Sequence, residues 1–115
     1  MDFKGLAMSN GFDEREKAFE QKWAHDEELR FKVEARRDKL LGLWAAGEMG
    51  ISGAEADAYA RTIVEADMEE AGDSDVFEKV KADFAAKGIA RTDHLIRGKM
   101  DELLAVAKDQ VMHEV

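Results

Sequence analysis

The chain has 115 residues with 26 Asp and Glu against 17 Lys and Arg, a formal charge of −9, 45% hydrophobic residues, and neither cysteine nor proline. That length and apolar fraction fit one compact domain with a modest core and exclude a wholly disordered chain. The lack of cysteine removes disulfides, thiolate zinc sites and cysteine nucleophiles. The acidic balance argues against nucleic acid as a main partner, and no apolar run approaches the ~18 residues of a membrane span. The charged start at Met1 to Phe3 lacks a signal peptide's apolar stretch, so a cytoplasmic protein is expected.

Without proline, and with glycines at regular breaks, the pattern reads as helices joined by short connections; nothing alternates with the period of strands. The first helix is expected from about Asp13, where Asp13 and Glu16 have capping-box spacing, to about Ala46 before Gly47. Ser52 and Glu55 form a clearer capping box ahead of a second helix, in which Ala56, Tyr59, Ala60, Ile63, Val64 and Met68 recur at helical spacing until Gly72. Asp73 or Ser74 caps a third, with Val76, Phe77, Val80 and Phe84 on one stripe and Gly88 as its stop. Thr92 caps a fourth, with Ile96, Met100, Leu103, Ala107 and Val111 on one face, broadened by Leu95, Leu104 and Val106. Four amphipathic helices bury their stripes only against one another, so the expected fold is all-α, a four-helix bundle with a long first helix.

A helix from Asp13 to Ala46 would be about 50 Å long against about 30 Å for the fourth, so the others cannot cover it throughout. Leu40, Leu41, Leu43 and Trp44 crowd its C-terminal end, with Val33 a turn or two earlier, and Gly42 offers room for close approach there. The N-terminal end has only Phe12, Phe19 and Trp23, spaced by seven and four residues among Asp13, Glu14, Arg15, Glu16, Lys17, Glu20 and Lys22. Two readings of that sparse stripe stand side by side. The aromatics complete the core across the end of the bundle, or they anchor a segment that becomes helical on a partner. Residues Met1 to Phe12, with Gly5, Ser9, Asn10 and Gly11, read as weakly structured.

The negative charge is concentrated: residues 48–75 hold nine anions and one cation, and the remainder is close to balance. The second helix is therefore the acidic element, either a solvated face or an electrostatic docking surface. Arg30, Lys32, Arg36, Arg37 and Lys39 make a basic stretch in the first helix, where Asp26 with Arg30, Glu28 with Lys32, and Glu34 with Arg37 can pair locally.

Catalytic and metal signatures are weak. Gly98 and Lys99 lack the upstream glycine and following Ser or Thr of a phosphate loop, and His25, His94 and His113 show neither paired ligand spacing nor an HExxH motif. Carboxylate pairs occur in every helix and single out no acid–base couple. No cofactor is expected. Residues 67–78 do fit a calcium-loop register, with Asp67 first, Glu69 third, Gly72 sixth, Asp75 ninth and Glu78 last. However, Ala71 occupies a ligand position, and capping by Asp73 or Ser74 explains the same residues. A calcium-responsive helical adaptor is the alternative function on that register.

Residues 12–50, FDEREKAFEQKWAHDEELRFKVEARRDKLLGLWAAGEMG, carry a family resemblance, most distinctively in FDERE at 12–16, AHD at 24–26 and ARRDKLLGLWAAG at 35–47. With the Tyr59 region, GDSDVFEKV at 72–80 and the stretch from Asp93 onward, the chain resembles the zeta-subunit family, inhibitors of the alphaproteobacterial F1-ATPase. The resemblance implies a non-enzymatic inhibitor of F1Fo-ATP synthase in two parts: a flexible inhibitory segment, residues 1–18, and a four-helix domain, residues 19–115. The segment would insert between the alpha and beta subunits of the catalytic head, near the central gamma shaft, and block rotary hydrolysis. Its partner-binding residues would be Phe12, Asp13, Arg15, Glu16, Lys17, Phe19 and Trp23. Such a protein would be monomeric when free and would reach the membrane only through the complex.

Overall fold

A computed structural model of the chain describes the backbone of residues 4–69 and 73–114, and side chains for 14–69 and 74–114. The described residues are all helix and connection: α1 Lys4–Trp23, α2 Glu27–Glu48, α3 Gly53–Glu69, α4 Asp73–Ala86 and α5 Asp93–Glu114. The all-α expectation holds, but the long first helix is divided. Asp26, in extended conformation (φ −103°, ψ 112°), ends one helix and starts the next; its carboxylate accepts from the Leu29 amide at 3.1 Å. Glu27 and Glu28 follow in the first turn, where negative charge suits the positive end of the helix dipole. Five helices thus stand among the described residues where four were expected. The first of them begins at Lys4, well ahead of Asp13.

Two other boundaries follow from glycine. Gly47 does not stop α2, which runs on to Glu48. The stop is Gly50 at φ +77°, with the Ile51 amide donating to Ala46 O at 2.8 Å and Gly50 N to Gly47 O at 3.1 Å. The same closure ends α4 at Gly88, where Ile89 N donates to Phe84 O at 2.8 Å and turns the Ile89 side chain onto the core. Thr92 caps α5 as expected, its hydroxyl accepting from Leu95 N at 3.0 Å. Gly72 lies outside the described residues.

Helix α2 is the hub, packing along α3 and α5 and touching α1 and α4. Around its C-terminal half, Leu41 and Ala45 meet Ile63 of α3, Val76, Phe77, Val80 and Phe84 of α4, and Ile96 and Met100 of α5. The Trp44 ring stands edge-on to Phe84 at 5.7 Å. A second cluster surrounds the N-terminal half: Leu29 and Val33 of α2, Ala107, Val111 and Met112 of α5, and Phe19 of α1. Most expected core positions are buried, but Met68, Leu95 and Val106 are exposed. The first is 63% accessible.

Antiparallel α2 and α3 approach closely at Gly42. A Cβ there would lie 2.6 Å from the Ala60 Cα and 3.2 Å from Ile63 Cγ1, so only glycine fits. One turn back on α2, the interface contains charge. Arg37 and Asp38 are both buried, with Arg37 Nε donating to Asp38 Oδ1 at 2.7 Å. The Asp67 carboxyl of α3 lies beside Asp38, and among the described residues Asp38 Oδ2 meets no hydrogen-bond donor. Two carboxyls can face each other in this way if they share a proton, leaving one negative charge opposite the Arg37 guanidinium. Burial, then the bond to Asp67, pushes Asp38 up from 3.8 to about 8 against the pull of Arg37. Between α3 and α4 the Tyr59 hydroxyl donates to Asp83 Oδ2 at 2.7 Å, and burial holds that phenol in its neutral form.

Gly42→Ala is expected to destabilise the fold by about 1–3 kcal/mol through overpacking. Gly47→Ala, on an exposed turn where an added Cβ meets nothing within 4 Å, should stabilise it by about 0.5–1 kcal/mol. Denaturant midpoints measure both. Asp38 makes stability depend on pH. The unfolded chain releases this proton near 3.8 and the folded chain near 8. Its stabilisation is therefore complete below about pH 4 and is lost as pH rises through about 8. Asp38→Asn keeps an acceptor for Arg37 and a donor for Asp67, and should flatten that slope in urea titrations across this window.

Candidate functional site

The seven residues expected to engage a partner all lie on α1, and the structure divides them. Phe12 and Asp13 fall in the helix, but their side chains lie outside the described residues. Arg15, Glu16 and Lys17 are exposed, as are Glu14 and Ala18 on either side. Phe19 is 7% accessible, seated against Leu29, Val33, Ala107, Val111 and Met112. Trp23 is half-buried against the same cluster. For these two rings the structure follows the reading in which the aromatics complete the core.

The root of α1 is held by four kinds of contact. Phe19 supplies apolar burial, on the order of 2–3 kcal/mol for a ring of this size. Lys108 of α5 lies 4.3 Å over the Trp23 ring, and its Nζ is 3.4 Å from Glu20 Oε1. The Trp23 indole donates to the same Glu20 oxygen at 3.1 Å. Past Trp23, the amides of His25 and Asp26 both donate to Lys22 O, and Arg30 Nη1 donates to Ala24 O at 2.9 Å. These polar contacts are exposed and each contributes only a few tenths to about 1 kcal/mol, so the Phe19 ring decides where the helix is fixed.

Toward the N-terminus that hold is lost. A cleft of about 250 Å³ opens between α1 and α5 beside Phe19, lined by Glu16, Glu20, Leu104, Ala105 and Lys108 among others. The turn from Glu14 to Ala18 precedes this anchored root and has its charged side chains exposed to solvent. It presents Arg15 and Lys17 together with Glu14 and Glu16, a polar surface suited to register on a partner and to no obvious covalent chemistry. Lys108, Glu20 and Asp26 are the contacts holding α1 that sequence reasoning missed. Asp26 followed by Glu27 and Glu28 is a legible cap signal; Lys108 has no signature, since its role depends on how α5 lies against α1.

The residues of the calcium register take other roles. Asp67 and Glu69 belong to α3, and Asp75 and Glu78 to α4, so a twelve-residue loop is not formed. Among the described residues no cluster of His, Asp and Glu could hold a metal ion. Likewise, no helix among them is long and apolar enough to cross a membrane.

Comparison with known proteins bears on the same region. A family model described as ATPase inhibitor subunit zeta matches residues 8–110. A protein solved in solution by NMR is 50% identical, with a TM-score of 0.66, the match covering 76% of this chain and 99% of the other. No functionally curated protein matches.

Phe19→Ala is expected to cost about 3–5 kcal/mol locally. Because Phe19 belongs to the cluster distant from Trp44 and Phe84, the loss should fall on α1 and the facing ends of α2 and α5. Amide hydrogen exchange should show protection lost over 14–23 and retained around Leu41, Ile63 and Val80.

Proposed function

Because this chain belongs to the ATPase inhibitor subunit zeta family, a family of regulatory rather than catalytic proteins, we propose that it inhibits ATP hydrolysis by F1-ATPase through its N-terminal segment. Residues 1–18 act as the arm and enter an interface between catalytic and noncatalytic subunits of the head. There they oppose the closure on which rotation depends. An inhibitor of this kind needs no reactive group, since blocking one conformational step stops the cycle.

The observation that carries this reading is the exposure boundary at Phe19: the side chains of 14–18 are exposed, and Phe19 is seated in the second cluster. An arm works as a wedge only if its far end is held. Phe19 and Trp23 hold it, while Phe12 supplies apolar anchorage in the enzyme and Asp13, Arg15, Glu16 and Lys17 set register. The helical state of α1 favours this, since a pre-formed helix loses less conformational entropy on insertion than a coil. On this reading residues 1–18 are the inhibitory part and 19–115 the body that carries it. The protein meets the membrane only through the ATP synthase.

Removing residues 1–18 should abolish inhibition of F1-ATPase from the same source, with the helix content of the body retained by circular dichroism. Equal inhibition by the intact and shortened chains would overturn insertion by this arm. Within the intact chain, Arg15→Glu should weaken inhibition about tenfold, read as a shift in the half-inhibitory concentration.

A further inference from the structure

Away from α1, a groove of about 260 Å³ runs between α2 and α3, lined by Phe31, Ala35, Val64 and Met68 with the carboxyls of Asp38 and Asp67. Two of the large hydrophobic side chains that the body leaves exposed, Phe31 at 54% and Met68 at 63%, form its rim. At its floor is Asp38, wholly buried, whose Oδ2 meets no donor among the described residues.

We propose that this groove is a second contact surface for the ATPase head, receiving one lysine or arginine side chain presented among apolar residues. The inference rests on the function proposed above and adds a site outside the arm. The occupant follows from the chemistry of the lining. A long cationic side chain lays its methylenes along apolar surface and brings its charge to carboxylates at the end. Phe31 supplies an aromatic ring at the rim, and the Met68 thioether adapts to the shape of the stem. Charge balance points the same way. Among the described residues the groove is lined by the carboxyls of Glu34, Asp38 and Asp67 and by no cation, so its lining is complementary to a positive charge. The charged groups that do face Asp38 are Arg37 and Glu34 on its own helix and Asp67 on α3. The elevated titration of Asp38 means that docking near neutral pH releases a proton, so binding should tighten as pH rises toward about 8.

The test uses the full chain and intact F1-ATPase, with association followed by biolayer interferometry and inhibition measured in parallel. Two full-length variants address the groove. F31S/M68S removes the exposed rim, and Asp67→Lys supplies the cation from within, occupying the site while satisfying Asp38. Both should weaken binding about tenfold or more, mainly through faster dissociation. Asp67→Lys should do so without lowering the melting temperature, which separates lost docking from lost folding. Leu95→Ser, an exposed apolar change on α5 outside the groove, should bind like the unaltered chain. If either groove variant binds as tightly as the unaltered chain, the assignment is overturned. Self-association of the unaltered chain that disappears in F31S/M68S would give the groove to a second copy and overturn it as well. If the unaltered chain neither binds nor inhibits, the inhibitor reading itself fails, and the groove assignment goes with it.

Discussion

The contact of α2 with α3 at Gly42 sets the spacing on which the other helices depend. With only hydrogen on that Cα, the two backbones approach until the Ala60 Cα occupies the place a side chain would take. Helix α2 also packs along α5 and touches α1 and α4, so the separation fixed on one of its sides constrains the others. Leu41 and Ala45 then fall among Ile63, Val80 and Phe84, and Asp38 is carried into contact with Asp67 one turn away. Charged groups are seldom driven into a helix interface, and here Asp38 is tolerated because it bonds Arg37 and burial favours its protonated form.

The buried stripes of α4 and α5 were legible because they obey a single periodicity: Val76, Phe77, Val80 and Phe84, and Ile96, Met100, Ala107 and Val111, are all in the core. Caps and stops were read where a residue type decides the matter locally, as at Thr92 and Gly88. The break between α1 and α2 was missed because helical charge pairing runs unbroken through 24–28, and a mid-pattern Asp has to be weighed as a cap as well as a surface residue. Gly47 was misread as a stop because glycine ends a helix only when the backbone turns left-handed, and that happens at Gly50. Of the candidate site, the stripe of Phe19 and Trp23 was visible but its partner was not. The surface that receives Phe19 joins Leu29 and Val33 of α2 to the far end of α5, some ninety residues along the chain, and no local pattern reports that junction.

The two clusters divide the labour. The one around Trp44 and Phe84 draws on four of the five helices except α1 and makes the body. The one around Phe19 is smaller, and one of its walls is the helix that carries the proposed arm. Anchorage and availability therefore meet within a single turn. The ring at 19 is covered and the charged residues just before it are open to solvent, with no change in helical character between them.

That division places the chain's two tryptophans, Trp23 and Trp44, in different clusters. One indole sits at the root of the arm beneath Lys108, the other, half-buried, lies against the body with the Phe84 ring on its edge and Lys99 over its face. Replacing either by phenylalanine leaves a single tryptophan, which can be excited apart from Tyr59 at the red edge of the absorption band. The protein thus carries a separate optical gauge for each end, so that emission from 23 reports on the seat of the arm while emission from 44 reports on the scaffold.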